Sequence, residues 1–296
     1  MPELPDVLVY CDVLQRVLVG ATIRDIRILG PSLLRTFDPP IEQATDRNVI
    51  AVHRRGKRIA FELTDAHFLV FHLMIAGRFR WLTAEARPPA KITQAMIRTD
   101  DGALAVTEAS KKKRATLHYV VGKEALNQFS TAALDLCDAK LDEFCARLQA
   151  ENRTVKRMLT SPAHFDGVGN AYSDEILHRA RLSPIKQTRK LSEDEIARLH
   201  KAACDVLNEW TNRLRDEFRD RFPGPGEITA FRPDFAVHGK FGQPCPDCGA
   251  PVQRILYAEN ECNYCARCQN AGRVLADRSL SRLLKDDWPR AIEDWM

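Results

Sequence analysis

Two C-x-x-C pairs near the C-terminus constrain this 296-residue chain more than any other feature: Cys245-Pro-Asp-Cys248 and Cys265-Ala-Arg-Cys268, with sixteen residues between them. Two residues between thiolates let one tight turn direct both sulfurs at a single metal ion, and two such turns complete a tetrahedron. Gly249 suits the turn after the first pair, and Val252 to Ile255 reads as one strand of a hairpin returning to the second. A hairpin this small has too little core to fold alone, so the spacing implies one structural zinc ion. Cys262 keeps a second quartet open, because 245/248/262/265 has thirteen intervening residues and is also allowed. Five of the nine cysteines fall within the 24 residues 245–268, while Cys11, Cys137, Cys145 and Cys204 are scattered. In a reducing compartment such clustering argues for metal and against disulfides.

The rest of the chain divides by pattern. Residues 1–125 read as strand-rich. Ile23 to Leu29, Ile59 to Leu63 and Phe68 to Leu73 are apolar runs bounded by turn residues, the last two short and continuous as in buried strands. Residues 4–18 suit one short helix with Pro5 in its first turn. Residues 135–225 read as helical: Lys140 to Leu148, Val155 to Leu159, Ala171 to Ala180, and a long helix opened by the capping box Ser192-Glu-Asp-Glu195. Its apolar face carries Ile196, Leu199, Ala203, Leu207 and Trp210, all expected in the core. A linker, Phe222-Pro-Gly-Pro-Gly-Glu227, leads to the cysteine module at 236–272, and residues 273–296 form a tail with Trp288 and Trp295. The fold class expected is α+β.

Net charge is +4, and its distribution matters more than its size. Residues His53 to Arg58 and Lys111 to Arg114 concentrate cations, whereas acids gather in 135–151 and 193–220. Such a surface can attract phosphate locally while remaining soluble. No apolar run approaches the roughly 18 residues of a membrane helix, and the start lacks a secretory pattern. The expectation is a cytoplasmic, nucleoid-associated monomer with no membrane contact.

Pro2-Glu3-Leu4-Pro5, the segment around Lys57, Gly167-Val-Gly-Asn-Ala-Tyr-Ser-Asp-Glu-Ile-Leu177 and the cysteine module occur here in one order. Together they resemble the formamidopyrimidine-DNA glycosylase / endonuclease VIII family, over residues 2 to about 269. The resemblance implies an N-terminal β-sandwich domain, a helix–two-turn–helix domain and a C-terminal zinc-finger hairpin, with damaged DNA in the cleft between. It also selects Cys245, Cys248, Cys265 and Cys268 as zinc ligands and makes Cys262 a spare thiol. It implies base-excision repair by a glycosylase with abasic-site lyase activity. The chemistry is coherent: with Met1 removed, Pro2 presents a secondary amine that can attack the sugar C1′ and form an iminium. Partial burial favours the neutral, reactive amine. Glu3 resembles the general acid that protonates the sugar oxygen, and Lys57 the lysine that contacts phosphate and aids elimination. The glycines around Gly169 let backbone approach a phosphate closely, and Asn170 is expected to cap the next helix and donate to that phosphate. His72 and Lys156 align with further phosphate contacts. Asp174 and Glu175 are expected to serve capping or packing at the start of that helix.

Three departures from the family pattern bear on substrate. Asn260 stands where the family carries a DNA-contacting arginine, with Arg254 and Arg267 nearby. Ile75 takes the place of the methionine that fills the gap left by a flipped base, and Ser110 with Lys112 stand where an arginine and a phenylalanine assist it. Ile75 can still wedge apolar bulk into the stack. The segment Gly224 to His238 is short for a purine-capping loop. These features favour oxidised pyrimidines, abasic sites or unpaired lesions. The competing reading, which the same departures favour, is a catalytically weak zinc-finger protein binding damaged or branched DNA. A plain zinc-ribbon interaction protein leaves the first 240 residues unexplained.

Overall fold

The structure, a computed structural model, describes residues 1–86, 88–257, 260–277, 283–284 and 290–295. The chain forms two compact units, one of residues 1–131 and 210–229, the other of residues 132–209 and 230–296.

The first unit begins with helix α1 (Leu4–Leu18), with Pro5 in its first turn, where the absent N–H costs nothing. Eight strands follow: β1 (Ile23–Ile28), β2 (Val49–Arg55), β3 (Arg58–Leu63), β4 (His67–His72), β5 (Gly77–Leu82), β6 (Thr93–Thr99), β7 (Ala103–Glu108) and β8 (Thr116–Val121). They make two antiparallel sheets of four, ordered β1-β6-β7-β5 and β2-β3-β4-β8. Phe71 on β4 meets Phe79 on β5 edge-on at 5.3 Å, and Phe61 on β3 lies 4.9 Å from Phe71, so the two sheets share one core. Tyr10 brings α1 onto it, 5.4 Å from Phe79.

The unbroken apolar runs of β3 and β4 have a direct cause. Ile59, Phe61, Leu69 and Phe71 face the shared core, whereas Ala60, Phe68 and Val70 pack with Leu126 of the short helix α2 (Lys123–Asn127). A strand covered on both faces cannot alternate apolar with polar.

The second unit continues with β9 (Leu134–Asp135), α3 (Leu141–Gln149), α4 (Val155–Leu159), β10 (Phe165–Asp166), α5 (Asn170–Arg179) and α6 (Glu193–Glu217). β9 and β10 pair in parallel. The expected capping box opens α6: Ser192 N donates to Glu195 at 2.9 Å and Glu195 N to Ser192 Oγ at 3.3 Å. Ile196, Leu199, Ala203, Leu207 and Trp210 are buried as their spacing requires.

The last turns of α6, from Trp210, belong to the first unit. There Leu214 and Phe218 join the sandwich core, Arg16 donates to the carbonyls of Phe218 (2.7 Å) and Arg219, and Asp12 pairs with Arg215 at 2.7 Å. A guanidinium on the last carbonyls complements the negative end of the helix dipole. The residues expected as one 135–225 domain are thus shared between the two units.

In the second unit β11 (Gln253–Tyr257) and β12 (Asn260–Tyr264) form the antiparallel hairpin, followed by α7 (Ala266–Asn270). The described part of the tail returns onto it. Leu275 and Ile292 enter the hairpin core, Leu275 N donates to Tyr264 Oη at 2.7 Å, and Leu256 N donates to the buried Asp277 at 2.6 Å. Trp288 and the side chain of Trp295 lie outside the described residues. Among the described residues no helix is long and apolar enough to cross a membrane.

Candidate functional site

In the first unit two of the candidate residues, Pro2 and Glu3, stand at the start of α1. Pro2 is buried and Glu3, the N-cap residue, is 3% exposed. Glu3 N donates to Asp6 Oδ2 at 2.9 Å, so Asp6 holds the first turn that presents Glu3. Burial destabilises the charged form of the terminal amine and lowers its pKa. Glu3 and Asp6 oppose that shift, and Arg78 and Lys57 reinforce it. Glu3 and Lys57, expected as the acid and the phosphate-contacting lysine, therefore both act on the Met1 amine, one residue ahead of Pro2. Lys57 reaches that position from the two-residue turn between β2 and β3, where Gly56 takes φ +64°, a conformation glycine adopts without strain. Arg78 and Asp6 were not anticipated. The Glu3-x-x-Asp6 spacing signals the second, but nothing local signals the first.

His72 ends β4, paired across from Arg58 and Thr116. Burial, with the Arg58 and Lys57 charges, pushes its pKa down to about 4, so the ring is neutral at physiological pH. Ile75, three residues past β4, is 53% exposed. Lys111 and Lys112 are exposed on the loop between β7 and β8. The buried Glu108 carboxylate ties that loop down by accepting from Arg114 N at 2.9 Å and Ala115 N at 3.2 Å.

In the second unit Gly169 is the N-cap of α5, and Asn170 is its first residue, which corrects the expectation that Asn170 caps the helix. The Asn170 amide is directed to the hairpin, Nδ2 donating to Glu261 O at 2.8 Å, so the Gly169–Asn170 turn lies beside the start of β12. Lys156 is also placed differently from expectation. Its ammonium donates to Asn170 O (3.1 Å), Ser173 Oγ (2.9 Å) and Asp174 Oδ1 (2.5 Å), with its side chain 13% exposed. It acts from beneath the turn and not from the surface.

Asp174 and Glu175 do more than cap or pack. The fully buried Asp174 accepts from Lys156, from His238 Nδ1 at 2.8 Å and from Asn263 N at 3.1 Å. Glu175 accepts the backbone N–H groups of Ala236, Val237 and His238 at 2.7–2.9 Å. Burial raises the Glu175 carboxyl's pKa, and those three donors oppose the rise. One turn of α5 thereby joins α4, the segment before the cysteine module and the hairpin into a single polar network.

At the hairpin, Asn260 is exposed opposite Tyr257, and Arg254 stacks on Phe241 at 4.2 Å. Phe231, in the short segment before the module, is 67% exposed and stacks on His238 at 5.7 Å.

The structure brings together the quartet that the family resemblance selects. The sulfurs of Cys245, Cys248, Cys265 and Cys268 lie within 4.8 Å of one another, with Cys245–Cys268 at 3.9 Å and Cys248–Cys265 at 3.4 Å. Zn–S bonds of about 2.3 Å in a tetrahedron place sulfurs about 3.8 Å apart, so the cluster fits that ion. Cys262 is buried on β12 opposite Ile255, outside the quartet. His178 Nε2 lies 3.3 Å from Cys245 Sγ, in reach of a metal-bound thiolate.

Comparison with known proteins agrees with this architecture. Residues 1–114 match the formamidopyrimidine-DNA glycosylase N-terminal domain and residues 134–216 the H2TH domain of the same enzymes. A formamidopyrimidine-DNA glycosylase of Desulforamulus reducens is 30% identical over 281 residues, covering 92% of this chain and 100% of the relative. A mutant Lactococcus lactis FPG bound to Fapy-dG-containing DNA superposes with TM-score 0.81 at 27% identity, covering 91% of this chain and 100% of that one. The wild-type L. lactis protein bound to DNA containing an oxidised pyrimidine gives TM-score 0.80 at 27% identity, over 91% and 100% of the two chains. The fold and the paired modules define a DNA-repair glycosylase class. Within it, the chain belongs to the formamidopyrimidine-DNA glycosylase family.

Proposed function

We propose that the protein is a DNA glycosylase with associated abasic-site lyase activity, in which the Pro2 amine is the nucleophile once Met1 is removed. The observation that carries this reading is the setting of the amino terminus: burial disfavours the charged form of the Met1 amine, and Glu3, Asp6, Lys57 and Arg78 all act on it. Loss of one residue leaves the new terminal amine in the same neighbourhood. Its lone pair attacks the sugar C1′, and the C1′–base bond breaks with its electrons leaving on the base. Glu3 donates a proton to the ring oxygen as the sugar opens and the amine loses its own proton, leaving an iminium. Lys57 and Arg78 favour the neutral amine before attack, and Glu3 stabilises the cation after it.

The four thiolates of Cys245, Cys248, Cys265 and Cys268 would hold a zinc ion in a closed shell, which supplies structure and no catalytic position. DNA phosphate is assigned to Lys57, His72, the Gly169–Asn170 turn, Arg254 and Asn260, with Lys156 organising that turn from within.

Ile75 is the wedge that fills the gap of a displaced base. Ser110 and Lys112 stand in place of its planar partners, so the cost of opening a paired helix is less fully offset. The substrates favoured are oxidised pyrimidines, abasic sites and lesions in unpaired DNA. The L. lactis relative's complex with oxidised-pyrimidine DNA is consistent with that class.

The test is mass spectrometry of the N-terminus followed by borohydride trapping on DNA bearing one abasic site. A covalent adduct lost in Pro2→Gly is expected, with faster trapping on single-stranded than on duplex DNA. Protein starting at Pro2 that forms no adduct refutes the lyase. It would favour the damaged-DNA-binding alternative, to which the uncharged Asn260 at the hairpin tip also points. Equal rates on the two substrates refute the preference for unpaired DNA.

A further inference from the structure

The turn that carries Ile75 is unusually tight. Met74 takes φ +52°, which non-glycine residues rarely adopt. Gly77 N donates to Leu73 O at 2.8 Å, and a Cβ on Gly77 would stand 2.2 Å from that same oxygen. Ile75 is thus the exposed apex of a closed four-residue return between β4 and β5. Two carbonyls of this turn, those of Ile75 and Gly77, accept from one side chain.

Arg78 holds them. Its Nη1 donates to Ile75 O at 3.1 Å and to Gly77 O at 2.6 Å, and its Nε donates to Ile228 O at 2.6 Å. Ile228 is 1% exposed and belongs to the sandwich core, so the far end of the clamp is rigid. The planar fork carries its donors on separate nitrogens, Nε toward Ile228 and Nη1 toward the turn, whereas an ammonium gathers all its donors at one point.

We infer that Arg78 is a positioning residue for base displacement, fixing the Ile75 apex to the core so that the wedge enters duplex DNA without yielding. The inference rests on the reading of Ile75 as the wedge. A loosely held apex spends part of its contact energy on becoming ordered, whereas a clamped one is ordered before DNA arrives. Strand separation is needed only in a duplex, so the clamp matters there and not on a single strand.

Trapping rates on one abasic oligonucleotide, single-stranded and duplex, give the measurement. Arg78→Lys, which keeps the positive charge near the amine, lowers the duplex-to-single-strand ratio about tenfold, the order expected when hydrogen bonds from a charged group are lost. Ile75→Ala, a surface substitution that leaves the core intact, lowers the same ratio. The double variant falls no further than Ile75→Ala, because both act through one apex. A ratio unchanged in Arg78→Lys, an equal loss on both substrates, or multiplying effects in the double variant overturns the clamp. If the unsubstituted protein traps neither substrate, the lyase reading fails by itself. The clamp is then read from fluorescence of 2-aminopurine opposite the abasic site in bound duplex. Arg78→Lys reduces the unstacking signal if the inference holds and leaves it intact if not.

Discussion

His72 shows how one side chain couples folding to pH. Its pKa is pushed to about 4, against 6.5 for an exposed imidazole, first by burial and then by Arg58 and Lys57. The folded ring stays neutral while the unfolded chain binds a proton below about pH 6.5, so stability is full above that pH and is lost as pH falls toward 4. The loss is at most about 3 kcal/mol, from 1.36 kcal/mol per pKa unit. His72→Gln, which cannot titrate, flattens this part of the curve, and urea melts at pH 7 and pH 4.5 measure it. His67 and His118, also lowered by burial, keep some slope in the variant. His72 was legible as a phosphate contact. What the sequence could not convey was the pair of cations set against its ring from β3 and the adjoining turn.

At the scale of elements, α5 is held by charge as well as by its apolar face. Asp174 is fully buried, and its partner Lys156 is 13% exposed, so either left alone is an uncompensated charge. Asp174→Asn is expected to destabilise the second unit by about 3–5 kcal/mol, the range for breaking a buried pair. A Lys156→Met/Asp174→Leu double variant recovers part of that loss, since apolar replacement removes both desolvation costs. Thermal melts of the three proteins check this; equal stability of Asp174→Asn and the parent would show that the network contributes little. Elements defined by near neighbours were readable in advance. The 4–18 helix, the capping box of α6 and the strands at 59–63 and 68–73 follow from caps, spacing and turn residues within a few positions. The cap of α5 was misassigned by one residue because Asn170 is drawn to Glu261, 91 residues away.

For the molecule as a whole, the hairpin core is completed from outside the family's usual length. Leu275 and Ile292 are 8% and 0% exposed within it, and burying each aliphatic side chain contributes roughly 1.5–3 kcal/mol. A chain ending at Gly272 is therefore expected to release zinc faster to a chelating dye and to melt at a lower temperature. Zinc release at the parent rate would make the tail an ornament of the fold.

The sequence by itself determined what depends on local covalent order: two C-x-x-C turns spaced to share a metal, the capping box of α6, strands with their apolar runs, and an N-terminal Pro-Glu pair. Tertiary structure decided the rest, namely that Cys268 and not Cys262 joins the quartet, that Lys156 and Asp174 spend their charge on each other, and that Arg78 clamps the turn of Ile75 to Ile228. These outcomes turn on the direction of a buried side chain toward a partner distant in the chain. Burial makes such pairings strong, and no local spacing rule encodes them.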